Sequence, residues 1–145
     1  MAGQPDTELT TAAAIIVLDP NTQPSNLVVD EDLKFSVAME FTVTGLSSVL
    51  LGYLTFEVLY YYESIGHGPE GTLGTVTGKT VAGQATYNNT GAAGTQTTYE
   101  VPPNTIKSGL YQLGSVVTFK LGPIPYPIPW PITGFTESPA IQITP

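Results

Sequence analysis

Residues 53–63 read YLTFEVLYYYE, and no other stretch limits the fold of this 145-residue chain so sharply. Large apolar or aromatic side chains, Leu54, Phe56, Val58, Tyr60 and Tyr62, hold the even positions, while Thr55, Glu57 and Glu63 fall on odd ones. A repeat of two belongs to an extended chain, whose successive side chains point to opposite faces; a helix would scatter these residues around its axis. The expectation is a central β-strand with one buried face. Leu59 and Tyr61 on the other face leave that face only partly wet.

The same alternation recurs. Residues 33–43, LKFSVAMEFTV, carry apolar side chains at every odd position and read as one strand with its outer face in water. Residues 12–18 read as a first strand, closed by the Asp19-Pro20-Asn21 turn. Gly66-His67-Gly68-Pro69-Glu70-Gly71 is too rich in glycine and proline for regular structure and marks a loop. The Gly, Thr and Val of residues 72–87 suit short edge strands. Residues 97–101 give a short strand with Tyr99 and Val101 inward, and residues 133–144 a closing strand with Ile141 and Ile143 inward. Residues 1–10 are polar and aperiodic, a flexible tail before a single domain over 11–145.

Residues 108–120, SGLYQLGSVVTFK, alternate from Tyr111 to Phe119 behind a Gly-x-Tyr entry. That entry resembles the tyrosine corner of immunoglobulin and fibronectin type III domains, in which the hydroxyl bonds backbone a few residues upstream. The resemblance implies an all-β, immunoglobulin-like antiparallel β-sandwich of about seven to eight strands. The disulfide pair of antibody domains is absent, and the one tryptophan, Trp130, lies off the central strand, so Phe56 or Tyr60 has to fill that volume. A fold of this kind carries no function with it.

Composition narrows the function classes. Charged residues make up 11% of the chain, against about 25% in a typical soluble domain, and the net charge is -8. Its four cations are Lys34, Lys79, Lys107 and Lys120, with no arginine. Nucleic acid is excluded as a partner, since backbone binding needs cations to replace condensed counterions. The forks that grip phosphate are missing too. Without cysteine there is no disulfide, thiolate or cysteine-zinc chemistry. The start MAGQPDTELT lacks the basic and apolar regions of a signal peptide, and no apolar run is long enough for a membrane span. The expected location is the cytoplasm, or outside it by export without a cleaved leader.

No catalytic residues are expected. The single histidine, His67, sits in a Gly-Pro loop near Glu63 and Glu70, where a solvated turn residue is the ordinary reading. Asp19, Asp30 and Asp32, at the two ends of one loop, offer the hard oxygens that Ca2+ takes, although acid runs usually serve as solvated loop charge. The most unusual stretch is residues 122–132, GPIPYPIPWPI. Proline at every second position removes the N–H donors from one edge of an extended chain and leaves the other edge intact. Such a strand pairs on one side only, and Ile124, Tyr126, Ile128, Trp130 and Ile132 share one face as a candidate interaction surface. The expected function is non-catalytic protein-protein contact, with a second copy or a different protein, as a structural or accessory subunit. The alternative is a carbohydrate-binding or calcium-dependent recognition module.

Overall fold

The computed structural model describes residues 8–11, 15–18, 28–44, 54–81, 83–121 and 128–145, and every regular element among them is a β-strand. In chain order these are β1 (Glu8–Thr11), β2 (Ile16–Leu18), β3 (Val28–Asp30), β4 (Phe35–Ala38), β5 (Phe41–Thr44), β6 (Leu54–Ser64), β7 (Glu70–Lys79), β8 (Thr86–Tyr87), β9 (Tyr99–Val101), β10 (Gly109–Leu121) and β11 (Ile128–Thr144). They form a five-stranded sheet, β3-β11-β10-β6-β7, and two three-stranded sheets, β1-β5-β8 and β2-β4-β9. All pairs are antiparallel except β3 with β11, which run parallel where Val28 faces Gln142.

The strand expected at 53–63 is β6, inside the large sheet between β10 and β7. Leu54, Phe56, Val58 and Tyr60 are buried, and across the β6–β10 ladder Phe56 faces Phe119 and Val58 faces Val117. Alternation on β10 buries Tyr111, Leu113, Ser115, Val117 and Phe119 on the same side. Ile141 and Ile143 on β11 complete that face. Against it stand the smaller sheets: Phe41 of β5 meets Phe56 edge-on at 5.2 Å and Phe119 at 5.4 Å, and stacks on Tyr87 of β8 at 5.1 Å. Tyr99 of β9 stacks on Tyr60 at 6.3 Å. All three sheets contribute to one hydrophobic cluster.

Several expectations are corrected. Eleven strands stand among the described residues, rather than seven or eight, and one pair is parallel rather than antiparallel. Residues 8–10, placed in the tail by their polarity, form β1 together with Thr11, against β5; residues 1–7 lie outside the described residues. Glu70 and Gly71, assigned to the loop, begin β7. Above all, 33–43 is two strands in two sheets, β4 and β5. The odd positions Phe35, Val37, Met39, Phe41 and Val43 stay buried across the break, which is why the pattern reads as continuous, while Leu33 is 52% exposed.

The break falls at Met39, itself fully buried, whose backbone groups leave the ladder inside the core. Buried amide groups without partners are costly. Here side chains supply them: the Met39 N–H donates to Tyr60 Oη at 3.0 Å, and the Thr97 hydroxyl donates to the Met39 carbonyl. The Tyr60 hydroxyl in turn donates to the Thr97 carbonyl. Tyr87 does similar service at a turn, accepting the Val81 N–H and donating to the Gln84 carbonyl, both at 2.8 Å.

Edge strand β7 carries Gly71, Gly74 and Gly78 on its inner side, and each lies under a ring. An added Cβ would stand 3.0 Å from Tyr62 Oη at Gly71, 2.4 Å from the Tyr99 ring at Gly74, and 2.2 Å from the Phe56 ring at Gly78. Gly78 is the least tolerant, because the Gly94 carbonyl is also only 2.7 Å from that Cβ. Gly78→Ala is therefore expected to lower unfolding free energy by about 1–3 kcal/mol, the usual range for overpacking, whereas Thr75→Ala on the exposed side of the same strand changes it by less than about 0.5 kcal/mol; chemical denaturation compares them.

Burial holds the Tyr60 hydroxyl well above its ordinary value of 10.0, and the Thr97 and Met39 bonds only partly oppose this. Burial also raises Tyr61, Tyr87 and Tyr111. The unfolded chain releases these protons near pH 10 while the folded chain keeps them. Stability is thus full below about pH 10 and falls as pH rises beyond it. Tyr60→Phe strands the Met39 N–H and is expected to cost about 1–3 kcal/mol, with a shallower alkaline decline. Denaturation between pH 8 and about pH 11.5, a range bracketing the tyrosine value, reads both effects; an identical slope in the variant would refute the assignment to Tyr60.

Candidate interaction surface

The inner side of the five-stranded sheet is consumed by the core, so its chemistry is displayed on the outer side. Strand register assembles that side into rows running across β11, β10, β6 and β7. At one end Lys120, Thr55 and Lys79 stand side by side. Next come Thr133, Thr118, Glu57 and Thr77, then Phe135, Val116, Leu59 and Thr75, then Glu137, Gly114, Tyr61 and Thr72. The last row is Ala140, Gln112, Glu63 and Glu70. The face therefore grades from an end with two lysines and one acid, Glu57, through an apolar middle, to an end with three acids, Glu137, Glu63 and Glu70.

The middle row is the most exposed apolar feature of the sheet. Phe135 is 64% exposed, and Leu59 and Val116 are half-buried beside it. Ile65 and Leu110, also exposed, form a shoulder beyond the acidic end, where the Ile65 N–H donates to the Leu110 carbonyl at 2.9 Å. Tyr61 lies flat across β10: a Cβ on Gly114 would stand 2.1 Å from its ring. Burial there, with the carboxylates of Glu137 and Glu63 beside it, raises the Tyr61 hydroxyl above its ordinary value.

Over the cationic end opens a cavity of about 650 Å³, floored by Thr55, Glu57, Thr118 and Lys120 and walled by Ala93 and Gly94 of the adjoining loop. The Lys79 N–H ties that wall to the sheet, donating to the Gly94 carbonyl at 2.9 Å.

Elsewhere the candidate residues serve local structure. The Asp32 N–H donates to Asp30 Oδ1 at 2.9 Å, a turn-forming bond. Between them, Glu31 accepts the Ser108 N–H on its carboxylate at 2.7 Å and the Asn104 N–H on its carbonyl at 2.7 Å. Asp19 lies outside the described residues. Among the described residues no three His, Asp or Glu side chains gather where a metal ion could sit, and Glu63, His67 and Glu70 are included in that statement.

Of the proline-rich stretch, Ile124 and Tyr126 lie outside the described residues. Ile128, Trp130 and Ile132 fall on the backbone of β11, and their side chains lie outside the description. Lys120 faces Pro129 and Phe119 faces Trp130, so residues 128–130 of the stretch pair with β10, and β3 reaches β11 only at residues 142–144. Sequence reasoning missed Phe135 because its odd position matches that of the inward Ile141 and Ile143, so alternation alone turns it inward; the register shift opposite Gln112 and Gly114 carries it to the outer side.

Gly114→Ala should displace the Tyr61 ring, which is free to swing outward, and so cost less than about 1 kcal/mol, at the low end of overpacking effects. The accompanying change is a fall of the Tyr61 phenol toward the ordinary tyrosine range, read by titration of the ring resonances. No protein-family model matches this chain, and no curated protein matches its sequence.

Proposed function

We propose that this chain is a non-catalytic, immunoglobulin-like β-sandwich module that works by protein-protein contact, as a structural or accessory subunit, through the outer side of its five-stranded sheet. Support for the arrangement comes from the single core between the large sheet and the two smaller ones. A tyrosine hydroxyl bonded to backbone three residues upstream, at Tyr87, adds to it. Tyr111, which carries the resemblance in sequence, is 2% exposed with its ring edge-on to Tyr62.

The observation that carries the contact reading is the row Phe135, Val116 and Leu59, an apolar band in the middle of a face with charges at both ends. Interfaces are commonly built this way, with an apolar centre inside a polar rim. Phe135 is mostly in solvent, so Phe135→Ser should leave stability within about 0.5 kcal/mol of the parent. It should also abolish capture of a protein partner, a second copy or another chain, by the immobilised full-length protein. Equal capture by both forms would sink this reading. Glycan binding by the parent, lost with Phe135→Ser, would replace protein with carbohydrate as the ligand of the face.

A further inference from the structure

We infer that the partner of this face is a second copy of the chain, docked face to face about a two-fold axis lying along the Phe135–Val116–Leu59–Thr75 row. This deepens the surface reading above and rests on it. An axis in the plane of contact and perpendicular to the strands lays each strand against its own copy, reversed in direction. The middle row then falls on itself, Phe135 against Phe135, and each end of the graded face falls on the opposite end.

The chemistry closes in that orientation. Lys79 meets Glu70 of the second copy, because both stand on β7, one in each end row. On β6, Thr55 meets Glu63 and Glu57 meets Tyr61, whose hydroxyl stays protonated and can donate to the carboxylate. Lys120 meets Gln112, next to Glu63. Glu137 on β11 meets the Thr133 hydroxyl. All four acids of the face, Glu57, Glu63, Glu70 and Glu137, thus gain a donor from the other copy. Stacked sheets turn by about 30° relative to each other, which displaces the ends by roughly one strand spacing, within the reach of a lysine side chain.

Exposed apolar residues match as well. Ile65 and Leu110 lie past the acidic end, and Val81, 43% exposed, borders the cavity at the cationic end, so reversal brings the shoulder of one copy to the cavity mouth of the other. An axis parallel to the strands would instead keep lysine rows together and acidic rows together. It offers none of these pairs.

Four strands at about 4.8 Å and eight steps at about 3.4 Å make a face of roughly 500 Å² per copy, below the ~800 Å² of a standard interface. The dimer is therefore of modest affinity, visible at concentrations of tens of micromolar or more.

Sedimentation velocity on the full chain over a concentration series tests this. The parent should self-associate, and Phe135→Ser should abolish the association. Each Lys79–Glu70 pair occurs twice in a two-fold dimer, so Lys79→Glu or Glu70→Lys alone should weaken association about tenfold or more. The double variant, Lys79→Glu with Glu70→Lys, restores both pairs in swapped form and should return to within a few-fold of the parent. Circular dichroism confirms that each variant is folded. A parent that stays monomeric up to about 1 mM would overturn the dimer. If it still captures a different protein through Phe135, the surface reading survives. Self-association indifferent to Phe135→Ser and to the charge swap would overturn both.

Discussion

The buried backbone of Met39 is the constraint on which the architecture depends. Two small sheets cover one large sheet only because a single run of alternating residues, 33–43, leaves one small sheet and enters the other. At the point of transfer the amide groups have no ladder, and they sit in the core. Leaving either one unsatisfied costs about 1–3 kcal/mol, a large part of the stability of a domain this size. Tyr60 and Thr97 remove that cost together, one taking the N–H and the other supplying a donor to the carbonyl. Their own bond to each other joins β6 to the chain just before β9, so all three sheets meet at one hydrogen-bonded knot.

Around this knot the core is packed by rings lying over glycines. Phe56, Tyr99 and Tyr62 each occupy space that a side chain on β7 would otherwise fill. At Gly134 a Cβ would come within 2.9 Å of Leu9 and 2.8 Å of Thr11, which lets β1 lie close against β11. Glycine on the inner side and threonine on the outer side of β7 is therefore a complementarity rule: the strand yields volume to rings inside and keeps β-propensity with its threonines outside.

How much of this was legible in the sequence depends on how local each cause was. Alternation exposed β6, β10 and the inward pair Ile141 and Ile143, because a period of two is written in neighbouring residues. The transfer at Met39 was hidden by the same signal, since a strand can change sheets without changing which side it buries. β1 and β3 owe their existence to distant partners, Val43 and its neighbours for one and the end of β11 for the other, and no residue within them announces this. The surface was half legible: Leu59 and Tyr61 marked the outer side of β6 as partly apolar. What no local reading could supply was the register that sets Lys120 and Lys79 on either side of Thr55, and Phe135 beside Val116. The proline pattern drew attention to residues 122–132, whereas the exposed ring, Phe135, stands beyond them on β11.

A contact through the face of this sheet, as proposed above, has a rival in pairing along the β7 edge, and the structure obstructs that edge. β7 is an edge strand, which by its nature invites pairing with another chain. Two features obstruct it. Near one end the Lys79 N–H is taken by the Gly94 carbonyl, and toward the other the Tyr99 hydroxyl donates to the Leu73 carbonyl, with a register shift between Tyr60 and Tyr61 bending the ladder. An incoming strand would have to displace both bonds to align over any useful length. The outer face needs no such displacement: Phe135 is already in solvent, both lysines stand at one end with three of the four acids toward the other, and the threonine hydroxyls can donate or accept. Both lysines of the face stand at one end and three of its four acids toward the other, which gives the face a direction, the property by which a charged surface tells one orientation of a partner from the reverse.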